Sequence, residues 1–196
     1  VKGHSVSFYS KSDNKNNLYN ILATIASISL YIDVKSFKKN IFLNFKIPKG
    51  RGDISKIRLR KKEIFLVDES YNSNPLSLKS ALENYDKIES KNSKKYLILG
   101  DMLELGKNSI SQHKAMSKIV NKTKINQVYV IGKYIKETFK GLKSNKKAKI
   151  LNDKFSIINL INDNLNNNDY LMIKGSNSTG LHKITNDLKQ KNINVI

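Results

Sequence analysis

The sequence predicts an α/β domain, a Rossmann-like, mostly parallel sheet flanked by helices, preceded by a smaller helical segment. Three observations predict it. After residue 50, short apolar runs alternate with stretches whose apolar residues recur every three or four positions. Several runs are apolar throughout, such as Tyr96-Leu97-Ile98-Leu99 and Val128-Tyr129-Val130-Ile131. That suits strands buried on both faces of a parallel sheet. Polar, turn-forming residues collect where runs end, at the points where strands leave the sheet.

Taken in order, Ser5 to Tyr9 alternates polar and apolar and predicts a short strand, and Asp13 to Asn17 a polar turn. A helix is expected over 17–32, with Leu18, Ile21, Leu22, Ile25 and Ile28 on one face. A second short helix is expected over 34–45. Pro48-Lys49-Gly50-Arg51-Gly52-Asp53 then passes from a stiff to a pliant backbone and predicts a domain boundary. Beyond it, strands are expected at 56–60, 63–68, 95–100, 127–131, 148–151 and 169–174. Helices are expected at 75–89, 109–122, 133–141, 153–166 and 178–190. Asn74 and Pro75 suit the N-cap and first position of the helix over 75–89. Its stripe is Leu78, Ala81, Leu82, Tyr85 and Ile88. Ser109 with Gln112 predicts a capping box for the next helix.

Composition sets limits. The 196 residues suffice for one full domain and part of another. The absence of cysteine excludes disulfides and thiolate metal sites. No run reaches the roughly 18 apolar residues of a membrane-spanning helix. The chain starts Val1-Lys2-Gly3-His4, neither an initiator Met nor a signal peptide, so a preceding segment is expected. A net charge of +20 raises nucleic acid as a partner. Against that, arginine occurs only at 51, 58 and 60, the lysines are spread along the chain, and no aromatic–basic motif appears. A solvated lysine-rich surface is expected, compatible with steering of small anions.

Three loops that follow strand ends carry unusual polar content: Asp68 to Asn74, Gly100 to Gly106, and Lys174 to Gly180. The crevice rule for open α/β sheets allows all three to line one edge. The third combines glycines, hydroxyls, a lysine and a helix start, as an anion cradle does. It is not a P-loop, because Gly-x-x-x-x-Gly-Lys-Ser/Thr occurs nowhere in the chain. Singly, each loop also fits an ordinary βα connection.

Together they are more specific. Val-Asp-Glu-Ser-Tyr-Asn-Ser-Asn-Pro at 67–75, Leu-Ile-Leu-Gly-Asp-Met-Leu-Glu-Leu-Gly at 97–106 with His113 beyond it, and Ile-Lys-Gly-Ser-Asn-Ser at 173–178 resemble the Mur ligase family. Asn-Asn-Leu-Tyr-Asn-Ile-Leu-Ala at 16–23 and Lys-Gly-Arg-Gly-Asp at 49–53 resemble the family's ATPase-domain tail and hinge, in the right order. The Gly100–Gly106 motif resembles that of members adding D-alanyl-D-alanine to UDP-N-acetylmuramoyl tripeptide in peptidoglycan precursor synthesis.

The resemblance implies a three-domain ATP-dependent ligase working through an acyl phosphate. Residues 1–49 would be the incomplete tail of the central ATP-binding domain, and 50–196 the C-terminal Rossmann-like substrate-binding domain. Because the P-loop is missing, this chain alone would be inactive. ATP and Mg2+ are the implied cofactors, with the metal ligands mostly outside this chain. A cytoplasmic monomer acting on small molecules, with no nucleic acid or membrane partner, is implied.

The resemblance also assigns residues. Asn17 and Asn20 lie where the family's tail amides approach adenine. Arg51 lies where the hinge arginine reaches the phosphates in a catalytic role, a task suited to a forked cation. Asp68 or Glu69 would accept from the ribose hydroxyls, with Tyr71 and Asn72 beside the nucleotide and Asn74 beside the dipeptide. Asp101 and Glu104 are candidates for the dipeptide ammonium, and Lys174, Ser176 and Asn177 for its carboxylate. Departures stand at Glu69, where the family usually has a second Asp, at Asn16, usually His, and at Asn177, often Arg. Two other readings stay open: a family member adding a single amino acid, and a non-catalytic basic module binding nucleic acid.

Overall fold

The computed structural model describes residues 5–11, 15–45, 48–59, 61–90 and 92–190. His4, residues 13–14 of the expected turn and Arg60 of the first expected strand after the junction lie outside these, as does the side chain of Asn16. The chain divides into two compact units, Val1–Ile47 and Pro48–Ile196.

The smaller unit is built on α1 (Lys15–Ile28). Ile21 and Ile25 share one of its faces and are buried with Val34 against Val6, Phe8, Ile28, Phe37 and Phe42. Phe8 and Phe42 meet edge to face at 5.5 Å, the favoured geometry for two ring quadrupoles. Three expectations fail here. Ser5 to Tyr9 forms no strand. Val6 and Phe8 turn inward as the alternation requires, and Tyr9 N–H donates to Lys39 O, but among the described residues no ladder forms. The helix expected over 34–45 is a single 3-10 turn, Val34–Ser36, capped by Asp33. Beyond it, Ile41, Leu43 and Phe45 donate to carbonyls three residues back, a run of turns. β-Branched, aromatic and Asn residues lack the helix propensity to carry the turn further. The first helix also stops at Ile28, short of the expected 32.

The larger unit is a six-stranded sheet. Its strands are β1 (Asp53–Leu59), β2 (Lys62–Glu69), β3 (Lys95–Gly100), β4 (Gln127–Ile131), β5 (Lys147–Ile150) and β6 (Tyr170–Lys174), and its helices are α2 (Pro75–Lys87), α3 (Ser109–Val120), α4 (Lys136–Lys140), α5 (Lys154–Asn164) and α6 (Leu181–Lys189). All six expected strands are present. The spatial order is β1-β2-β6-β3-β4-β5. β1 and β2 form an antiparallel hairpin, so strict strand–helix alternation fails at this first pair. Every other pairing is parallel.

The continuous apolar runs explain the layering. Tyr96 and Ile98 of β3 face a core with Ile157 and Ile161 of α5 and Leu181 and Leu188 of α6. Leu97 and Leu99 face the opposite core, with Leu82 of α2 and Met116 and Val120 of α3. Each such fully buried side chain contributes about 1.5–3 kcal/mol. α2 begins as its sequence requires. Asn74 accepts from Ser77 N–H at 2.8 Å, Ser77 Oγ accepts from Asn74 N–H at 3.0 Å, and Pro75 opens the helix. The capping box expected at Ser109 is absent. The 3-10 turn Gly106–Asn108 runs straight into α3, so Ser109 is already helical (φ −52°, ψ −52°) and cannot serve as an N-cap.

Insertion of β6 between β2 and β3 positions the site. Glu69, the last residue of β2, stands opposite Lys174, the last of β6, and Leu99 of β3 stands opposite Lys174 from the other side. Three parallel strands therefore end level and side by side.

Candidate functional site

The loops following β2, β6 and β3 meet at this carboxyl edge. Gly100 and Gly175 let two of them touch. A Cβ on Gly175 would lie 3.2 Å from the Gly100 Cα and 2.8 Å from Leu181 Cδ1. Gly175, which reads as part of an anion cradle, thus lets the backbones pack closely.

Ser176, which is buried, stitches the three loops together. Its N–H donates to Asp101 O at 3.0 Å. Its hydroxyl accepts from Leu103 N–H at 2.9 Å and donates to Ser73 O at 3.1 Å. Lys174, 1% exposed, lies beneath. Its ammonium donates to Asn72 O at 3.0 Å and to Glu69 Oε2 at 3.3 Å. Burial pushes the Lys174 ammonium down and the Glu69 carboxyl up from their ordinary values, and their mutual attraction opposes both shifts.

Asp101 is also buried, and its carboxylate accepts from Lys133 N–H at 2.9 Å and Ile135 N–H at 2.7 Å, beyond β4. Gly132 makes room for it, because a Cβ there would lie 2.6 Å from Asp101 Oδ1. Glu104 differs from its neighbours. It is exposed and sits at φ +63°, a region L residues rarely adopt.

Asp68 faces the α6 side. It is 2% exposed and accepts from Lys189 at 2.6 Å and from the Ser70 hydroxyl at 2.5 Å. Burial alone would raise its carboxyl, but these hydrogen bonds outweigh burial and hold it below the usual carboxylate range. Lys189 is raised for the matching reason. Burial would lower it, but hydrogen bonds to Asp53 and Asp68 prevail. Asp53 in turn accepts from Gly50 N–H at 2.6 Å, while Gly52 N–H donates to Asp68 O and Tyr71 N–H to Gly50 O. The 50–53 loop is thereby clipped to the end of β2. The Arg51 guanidinium stacks over the Tyr71 ring, 4.3 Å from its centroid, with both residues exposed.

The structure thus brings together, in one unit, Arg51, Asp68, Glu69, Tyr71, Asn72 and Asn74 with Asp101, Glu104, Lys174, Ser176 and Asn177. Asn72, Asn74 and Asn177 are exposed on the loops. Asn17 and Asn20 belong to the smaller unit, about one turn apart on α1, Asn17 buried and Asn20 exposed. Sequence reasoning missed Lys189, Asp53 and Ser73. A signal for Lys189 exists: Leu181, Thr185 and Lys189 form one i, i+4, i+8 row on α6, so two polar residues continue a core-facing ridge.

Among the described residues no group of three or more His, Asp or Glu could hold a metal ion. Among them, too, no helix is long and apolar enough to cross a membrane.

Residues 56–177 match the family described as Mur ligase, glutamate ligase domain. The UDP-N-acetylmuramoyl-tripeptide–D-alanyl-D-alanine ligase of Buchnera aphidicola subsp. Acyrthosiphon pisum is 34% identical over 88% of this chain and 36% of its own length. That of Bacillus subtilis (strain 168) is 26% identical over 96% of this chain and 41% of its own length. The chain therefore spans about two fifths of the relatives it matches. Among solved structures, the MurF ligase of Thermotoga maritima in complex with ADP superimposes with a TM-score of 0.70 at 20% identity, over 94% of this chain and 39% of that one. MurF of Acinetobacter baumannii does so with a TM-score of 0.72 at 21% identity, over 93% and 39%. At such identities these two establish the fold. The strand order, the loops that carry the motifs and the match over residues 56–177 lead to one conclusion: the chain belongs to the Mur ligase family.

Proposed function

We propose that this chain is the acceptor-binding part of an ATP-dependent ligase that joins D-alanyl-D-alanine to UDP-N-acetylmuramoyl tripeptide. Residues 1–49 are read as the tail of its ATP-binding domain and 50–196 as its substrate-binding domain. The observation that carries the proposal is the convergence of the three motif-bearing loops on Ser176 at one sheet edge. Relatives bearing that activity in their names match across 88% and 96% of the chain.

In this reading ATP phosphorylates the tripeptide carboxylate. The dipeptide amine attacks the acyl carbon, forming the C–N bond. The bond from carbon to the phosphate oxygen breaks, phosphate leaves, and the amine gives up a proton. Glu104 is the exposed carboxylate offered to the incoming ammonium. Asn177, exposed beside the buried Ser176, offers an amide donor to the far carboxylate. Arg51 and Tyr71 face the nucleotide, with Asn17 and Asn20 at the adenine. Rate enhancement comes from holding amine and acyl carbon together and from cations placed against developing negative charge. Magnesium, when bound through the ATP-binding part, supplies further charge neutralisation. We place the ligase in the cytoplasm as a monomer.

The test is stoichiometric. In the ligase containing this chain, ADP release is expected only when ATP, the UDP-linked tripeptide and D-alanyl-D-alanine are all present. Steady ADP release without the dipeptide would remove the proposal. This chain by itself is expected to hydrolyse no ATP above a buffer blank, because it has no P-loop to cradle the phosphates. Magnesium-dependent hydrolysis that co-purifies with it would refute the assignment of its domains.

A further inference from the structure

We infer that Ser176 and His113 are positioning residues for the acceptor. They fix the Gly100–Gly106 loop so that Glu104 is presented to the dipeptide ammonium. This rests on the acceptor-binding role proposed above.

Between Gly100, the end of β3, and Gly106 the loop has no strand or regular helix, yet its backbone is held at successive positions. Asp101 O accepts from Ser176 N–H at 3.0 Å. Met102 N–H donates to His113 Nε2 at 2.9 Å. Leu103 N–H donates to Ser176 Oγ at 2.9 Å. The next residue is Glu104, exposed at φ +63°. A strained backbone persists only where its surroundings over-determine it. Here those surroundings are the three bonds just before it.

Each residue is committed to this task by its own chemistry. His113 is fully buried, and Nε2 can accept from Met102 only if the ring proton sits on Nδ1. Nδ1 then donates to Ser109 O at 2.7 Å, which orients the ring. The Ser176 hydroxyl has one proton, and Ser73 O takes it. A substrate carboxylate only accepts, so Ser176 could serve it only by abandoning Ser73. Holding the loop explains every bond the side chain makes. The β2 loop keeps a second anchor, Lys174 to Asn72 O, and the β3 loop keeps Ser176 N–H on Asp101 O and Met102 N–H on His113, so loss of the Ser176 hydroxyl falls on Leu103, the residue before Glu104.

Ser176→Ala tests this in two ways. Amide deuterium exchange on the full chain is expected to rise about tenfold at Leu103, the change that loss of one buried hydrogen bond implies, with β3 and β6 unchanged. In the ligase containing this chain, KM for D-alanyl-D-alanine is expected to rise about tenfold, while kcat and KM for ATP stay within about twofold. Ser176→Cys, a weaker hydrogen-bonding group of similar shape, should fall between. Unchanged exchange at Leu103 would overturn the inference, as would a uniform fall in kcat with the dipeptide KM unaltered. If the wild-type ligase does not use D-alanyl-D-alanine, the proposed function fails, and the exchange measurement still decides whether Ser176 holds the loop.

Discussion

Replacing Lys189 with Met is expected to destabilise the larger unit by about 3–5 kcal/mol, the cost of leaving a buried charge without its partner. Asp68 is 2% exposed, and Lys189 is shared between it and Asp53. Without the ammonium, two carboxylates face each other at the junction of β1, β2 and α6. Urea denaturation should show the loss, and adding Asp68→Asn to the Met variant should recover part of it. The same cluster sets a pH dependence. The folded-state pKa of Asp68 lies below its unfolded value. Its contribution is therefore complete above the unfolded carboxylate value, about 3.9, and disappears as pH falls through the lower folded value. Lys189 is shifted up, so its contribution is complete below the unfolded lysine value and disappears as pH rises through the higher folded one. Lys189→Met should flatten both limbs of the stability profile. A variant as stable as wild type at neutral pH would mean that the cluster contributes nothing net.

Arg51→Ala is expected to lower kcat of the ligase containing this chain by about 10²-fold or more, the usual consequence of removing one charged stabiliser of a developing anion. Stability should change by no more than about 1 kcal/mol, because the guanidinium is exposed and its stacking on Tyr71 is the contact it gives up. Arg51→Lys should rescue only partly, since a compact ammonium replaces neither the planar fork nor the stacking. The surrounding clips, Asp53 to Gly50 N–H and Gly52 N–H to Asp68 O, survive all of these changes. Turnover of Arg51→Ala at the wild-type rate under saturating ATP would make Arg51 an ordinary solvated charge.

The inner strands were legible because they are buried on both faces. Tyr96 to Leu99 and Val128 to Ile131 read as continuous apolar runs for the reason the structure displays, one helical layer on each side. α2 was legible to the residue at its start, because Asn74 and Pro75 act locally. Where local signals compete, the reading failed. Ser5 to Tyr9 alternates like a strand, but alternation reports which side chains turn inward and is silent about a pairing partner. Residues 34–45 carry apolar side chains at helical spacings without the propensity to propagate a helix. The meeting of three loops at one edge followed from the crevice rule. What each side chain does there did not. A hydroxyl that binds a ligand and one that binds two backbones look alike in sequence, as at Ser176. The partner of Asp68 is 121 positions away, and no local pattern links Lys189 to it.

The measurement that tests the central claim most directly is a competition. The ligase containing this chain is given UDP-N-acetylmuramoyl tripeptide, ATP and an equimolar mixture of D-alanyl-D-alanine with single amino acids, and the product is weighed by mass spectrometry. The account predicts a product heavier by the dipeptide residue mass, with single additions at trace level. A product heavier by one amino acid, formed in preference to the dipeptide adduct, would contradict it.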